Sequence, residues 1–171
     1  GQVPIYYSHK NTGRPPQEDG PSIPPGSFDI AGWTSRYLDV DHRPLFPFGY
    51  GLSYTTFAYS DLEVETPKVG LEDTLVVTAV VSNTGDRAGE EVVQLYVRDL
   101  VGSVTRPVKE LKGFQRLSLE PGERETVRFE VPVNELGFHG PTMEYIVEPG
   151  SFRVWIGPNS DDGAEGSFEV V

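Results

Sequence analysis

"TLVVTAVVSNTGDRAGEEVVQLYVRD", residues 74–99, decides the fold. Its first ten residues are largely β-branched and apolar, which suits a pleated, half-buried strand better than a helix. "NTG" then breaks the run with turn chemistry. The second run, residues 90–99, alternates: Val92, Gln94, Tyr96 and Arg98 lie on one side, and Val93, Leu95 and Val97 on the other. Two strands joined by a turn is the economical reading.

The same period of two continues downstream. "RETVRFEVP" sets Val127, Phe129 and Val131 against Thr126, Arg128 and Glu130. "PGSFRVWIGP" places Phe152, Val154 and Ile156 on one face, and "GSFEVV" follows near the end. "LEPGER", "VEPGS" and "GPNSDDG" separate these runs. In "EPG" a proline presets φ and a glycine accepts positive φ, as a hairpin turn requires. Roughly seven short strands spaced by turns, with no amphipathic helix, predict an all-β, immunoglobulin-like β-sandwich from about residue 58 to 171.

Upstream the composition changes. Residues 1–57 hold eight of the fifteen prolines and ten of the nineteen aromatic residues, so they do not read as a continuation of the sandwich. "VPIYY" could form one short strand. "NTGRPPQEDGPSIPPGS" and "RPLFPFGYG" cannot hold a helix or a central strand. In "PLFPFGYGLSYTTF", residues 44–57, Pro44 and Pro47 deny ladder hydrogen bonds while Gly49 and Gly51 permit tight turns around Tyr50. Past Gly51 the stretch regains a strand-like alternation through Tyr54 and Phe57. So many rings are not stable in water. The expectation is an irregular aromatic and Pro/Gly-rich linker whose rings pack between domains: Phe46 and Phe48 toward an upstream domain, Tyr54 or Phe57 toward the sandwich, with Tyr50 between.

The totals exclude several classes. Net charge is −12, which disfavours nucleic acid and anionic membrane as partners. No run approaches a membrane span. With no cysteine there is neither a disulfide framework nor a thiolate metal site. His9, His42 and His139 are widely separated, and "NSDDGAEG" lacks calcium-loop ligand spacing, so neither a metal nor another cofactor is expected. Polar and aromatic residues that could line a small-molecule pocket, or simply pack between domains, are Tyr6, Tyr7, His9, Lys10, Asn11, Arg14, Trp33 and Arg36; His9, Asn11, Arg14 and Trp33 are the weak binding candidates.

"PLFPFGYGLSYTTF", "VSNTGDRAGEEVVQLYVRD", "RPVKELKGFQRLSLEPGE" and "EPGSFRVWIG", in that order, resemble the C-terminal end of glycoside hydrolase family 3 β-glucosidases. "IYYSHKNTGRP" and "TSRYLD" are similar to the periplasmic bacterial branch. The resemblance implies a parent built from a (β/α)₈ barrel, an α/β sandwich and a fibronectin type III-like domain. Residues 1–57 would then be the end of the α/β sandwich plus the linker, and residues 58–171 the third domain. It also implies a periplasmic or secreted protein that removes terminal β-linked glucose with retention, and upstream catalytic domains of the same polypeptide as partners that hold the β-glucoside. Retention needs two carboxyl groups about 5–5.5 Å apart. In the family the nucleophile is an Asp in a Ser-Asp-Trp-like motif on the barrel, and the acid/base comes from the α/β sandwich upstream of this chain. The local string Ser60-Asp61-Leu62 lacks the Trp, so no catalytic residue is assigned and the chain alone is expected to be inactive. The alternatives are a carbohydrate-binding module and an adhesion or scaffold sandwich. The single Trp of the sandwich argues against the first, and the aromatic linker against the second.

Overall fold

The computed structural model describes Lys10, Tyr37 and residues 43–171. The expected strand at residues 3–7 and the candidates His9, Asn11, Arg14 and Trp33 lie outside the described residues.

The elements are β1 (Phe57–Val64), β2 (Lys68–Val69), β3 (Thr74–Asn83), β4 (Gly89–Asp99), β5 (Glu110–Leu119), β6 (Arg124–Pro132), a 3₁₀ turn (Val133–Leu136), β7 (Phe138–His139), β8 (Tyr145–Ile146), β9 (Gly150–Gly157) and β10 (Ala164–Val170). Among the described residues, seven strands of seven residues or more match the expected number, and three two-residue strands are added. One sheet has the order β1-β3-β6, the other β2-β10-β9-β4-β5, and β7 pairs with β8. The inward residues of both large sheets meet in one core that includes Leu75, Val77, Leu95, Phe129, Phe152, Ile156 and Phe168. This is the all-β sandwich that the alternation predicts.

β6 follows the sequence pattern residue by residue: Val127, Phe129 and Val131 are buried, and Thr126, Arg128 and Glu130 are exposed. β4 departs from it. Val93, Leu95 and Val97 face the core, but Gln94 and Tyr96 on the other side are also buried, 6% and 2% exposed. β5 escapes an alternation test because its pairing with β4 shifts register between Leu95 and Tyr96.

Two turn expectations resolve differently. Glu120-Pro121-Gly122 is a tight turn, with Gly122 at φ 77 and the Glu123 amide bonded to Glu120 O at 3.0 Å. Glu148-Pro149-Gly150 is not a hairpin turn: Gly150 opens β9 and pairs with Val170 in the ladder. The strand-like reading of residues 52–56 is also corrected, since β1 begins only at Phe57. Thr55 and Thr56 are held by side-chain and loop bonds instead of a ladder.

Candidate functional site

The segment ahead of β1 is pinned to the sandwich at two places. At the first, residues 47–50 form a turn closed by the Tyr50 amide on Pro47 O at 3.1 Å. Its third residue, Gly49, has φ 78, the left-handed conformation of a type II turn. A Cβ at Gly49 would lie 2.0 Å from Gln94 Oε1. The turn therefore needs a glycine for both its backbone and its approach to β4.

β4 supplies the grip. Gln94 Nε2 donates to Gly49 O at 3.1 Å and to Pro158 O at 2.6 Å. The Tyr96 hydroxyl donates to Gln94 Oε1, and Phe48 O lies 3.3 Å from the same hydroxyl. Phe48 O also accepts from the Ser160 amide at 2.9 Å. These bonds satisfy polar groups that the turn itself covers, as burial requires. Burial pushes the Tyr96 phenol up to about 12, so it stays a neutral donor.

The second pin is Asn83, the Asn of "NTG", which is buried. Its Oδ1 accepts from Thr55 Oγ1 at 2.8 Å and from the Gly85 amide at 3.1 Å. Its Nδ2 donates to Arg87 O at 2.7 Å and Leu119 O at 2.9 Å. The Thr84 amide binds Thr56 O at 2.8 Å. Asn83 thus joins the β3–β4 turn, the end of β5 and the leading segment.

Between and beside the pins the rings point outward. Tyr54 is 93% exposed and Phe46 65%; Phe48 and Tyr50 are exposed too. Phe46 rests on Tyr50 with ring centroids 5.2 Å apart. Phe57 is half-buried and packs against the core. Of the alternatives expected to meet the sandwich, Tyr54 or Phe57, it is Phe57 that does so. Phe48, expected to face an upstream domain, also meets Tyr96 edge-on at 6.5 Å while keeping an exposed surface. The sequence marks the turn through Gly49 but not its receptors, because a Gln and a Tyr on an alternating strand look like a solvated face.

Acid chemistry is sparse. Asp61 is exposed at a β1 bulge, with φ 51 and Ser60 Oγ donating to it at 2.9 Å. Glu91 accepts from the Tyr59 hydroxyl at 2.7 Å, and burial raises its carboxyl despite that bond. Asp99 and Glu110 flank the buried Arg106, whose guanidinium is 3.6 Å from Asp99 Oδ2 and 2.7 Å from Glu110 Oε1. Burial raises Asp99 against the pull of the Val101 amide and Arg106. Burial also opposes ionisation of Glu110, but bonds from Lys112 and Arg106 outweigh it and hold that carboxyl low. Asp99, which is buried, and the half-buried Glu91 and Glu110 are each committed to a neighbour within the sandwich.

Other candidates are likewise occupied. Asn159 Oδ1 accepts from the Asp161 and Asp162 amides at 2.9 and 3.0 Å, so "NSDDGAEG" is organised as a side-chain-capped turn. His139 stacks edge-on with Tyr145 at 5.3 Å. Trp155 is buried, with Lys109 Nζ 4.2 Å above its ring and its Nε1 donating to Glu165 at 2.9 Å. Its face is not open for a sugar.

A family model described as a fibronectin type III-like domain matches residues 91–160. The whole chain is 45% identical to a periplasmic β-glucosidase of Salmonella typhimurium, of which it covers 21%. It is 38% identical over 99% of its length to a putative β-xylosidase of Formosa agariphila, covering 20% of that protein. The crystal structure of a β-glucosidase from Listeria innocua in complex with glucose superposes on 98% of the chain with a TM-score of 0.85 at 36% identity, over 22% of its own length. The chain spans about a fifth of the length of these relatives. Residues 91–160 thus match a fibronectin type III-like domain, and the chain is similar along essentially its whole length to part of these β-glucosidases and the putative β-xylosidase.

Proposed function

We propose that this chain is the non-catalytic C-terminal region of a larger, periplasmic or secreted retaining β-glucosidase. Catalytic domains upstream in the same polypeptide bind the β-glucoside and remove its terminal glucose. Residues 1–57 are the end of the α/β sandwich and the linker, and residues 58–171 are the buttress. The observation that carries this reading is the tether at residues 44–57. Its backbone is pinned at Gln94 and Asn83, while Phe46, Tyr50 and Tyr54 face away from the sandwich. A solvated linker has no use for exposed rings on a fixed backbone; an interdomain clamp does. The name of the Salmonella relative supports the compartment.

Phe48→Ala in the full-length polypeptide tests the role. The unfolding temperature should fall, and kcat on an aryl β-glucoside should change less than twofold. Loss of kcat without loss of thermal stability would place the ring in the chemistry instead. Titration of the 171-residue chain with soluble β-glucan separates this reading from a carbohydrate-binding module: no saturable binding is expected, because the Trp155 face is covered.

A further inference from the structure

The two outer faces of the sandwich differ. Among the described residues, none of the large hydrophobic side chains that stand exposed belongs to β1, β3 or β6. That face presents Arg124, Thr126, Arg128 and Glu130. The outer face of the five-stranded sheet presents Val92, Leu111 and Phe114, all exposed, with Phe114 at 68%. Register makes them neighbours of the tether site: Phe114 stands opposite Gln94, Leu111 opposite Tyr96, and Val92 lies two residues before Gln94 on the same side. Phe48 and Tyr50 ride on the turn that Gln94 and Tyr96 hold. The Glu90–Arg116 ion pair bounds the patch at one end, and Lys109 over Trp155 at the other. An apolar centre with a charged rim is the anatomy of a protein interface.

We propose that this face, centred on Val92, Leu111 and Phe114, is the surface on which a preceding domain of the same polypeptide docks. The inference rests on the functional reading above and extends the contact from the tether to the sheet. The path of the chain identifies the occupant. Residues 47–50 cross this face. Lys10 forms an isolated antiparallel bridge with Pro107, three residues before β5. These two contacts of the leading chain fall on the β4–β5 side, and the third, through Thr55 and Thr56, falls at the β3–β4 turn beside the end of β5. The relatives also extend to about five times this chain's length, enough for further domains. Docking through a sheet face that already carries the incoming chain would set the angle between domains and keep the patch from water.

The absence of cysteine in this chain allows a direct test. Phe114→Cys, Leu111→Cys and, on the opposite face, Thr126→Cys are each made in the full-length polypeptide and in the 171-residue chain. Maleimide labelling rates are measured, with the unsubstituted proteins as background, and aryl β-glucoside hydrolysis is assayed in the same full-length samples. At positions 114 and 111 labelling should be at least tenfold slower in the full-length polypeptide than in the short chain, and at 126 equal in both. Equal rates at 114 and 111 in a full-length protein that hydrolyses the glucoside would overturn the docking face and leave the functional reading standing. Slow labelling at 114 and 111 in a full-length protein without glycosidase activity would support the face and remove the enzyme assignment. Protection in the short chain that grows with its concentration would assign the face to a second copy and overturn the proposal.

Discussion

Gly49 and Phe129 show how single residues divide the work. Gly49→Ala places a Cβ on Gln94 Oε1 and forces an L-residue to φ 78. The expected cost is about 1–3 kcal/mol. Gly51→Ala is the control: it has no neighbour within 4 Å and should cost under about 0.5 kcal/mol. Equal midpoints in a urea titration would contradict the pinned turn. Phe129→Ala opens a cavity beside Gly113 and should cost about 3–5 kcal/mol. Arg128, exposed and ion-paired with Glu65 and Glu130, should cost about 0–1 kcal/mol when replaced by Ala. Denaturant titration of the two variants checks the register of β6. Both Phe129 and Arg128 are legible in the sequence because alternation assigns their sides. Gly49 is legible only as a turn residue. Its receptor, Gln94, lies 45 residues away, and no local pattern reports that distance.

At the scale of elements, the β4–β5 connection is a braced loop. Arg106 reaches Asp99 at the end of β4, Glu110 at the start of β5 and Leu136 O in the 3₁₀ turn, and stacks on Phe138 at 4.5 Å. Glu148 adds a brace by accepting from the Ser103 amide at 2.8 Å. Arg106→Met removes the cation that pairs with both Asp99 and Glu110, and should cost about 3–5 kcal/mol at pH 7. The pH dependence has a definite sign. In the parent protein Glu110, held low, contributes stability that is present above its unfolded pKa and lost as pH falls through its folded pKa. Asp99, held high, works oppositely: its contribution is present below its unfolded pKa and lost as pH rises through its folded pKa. Without Arg106 both carboxyls rise, so the variant's deficit should be smaller at pH 4 than at pH 7. Urea titrations at the two pH values check this; a deficit that grows toward pH 4 would contradict it. The sequence does not disclose this cluster, because Asp99, Arg106 and Glu110 read as ordinary loop-flanking charges. β5 is hidden for a related reason: a bulge breaks its alternation, and only the order of its motif residues points to it.

For the whole molecule, the sandwich and its core follow from the alternation of the long strands, whereas the use of its surface does not. Composition flags a ring-rich leading segment that needs cover. Only the structure shows that Gln94 and Tyr96 fix its backbone while most of its rings stay outward. The outward apolar face around Phe114 is equally silent in sequence, since an exposed Phe on an edge strand looks the same as a buried one. Asp99, Glu91 and Glu110 are each engaged with a neighbour inside the sandwich. The central claim is the proposal that this region orients a glycosidase and performs none of its chemistry. The most direct measurement is hydrolysis of aryl β-glucoside and aryl β-xyloside by the purified 171-residue chain and by the full-length polypeptide, with host glycosidases shown absent. The account predicts no turnover by the chain and turnover of the glucoside by the full-length protein; turnover by the chain alone would contradict it.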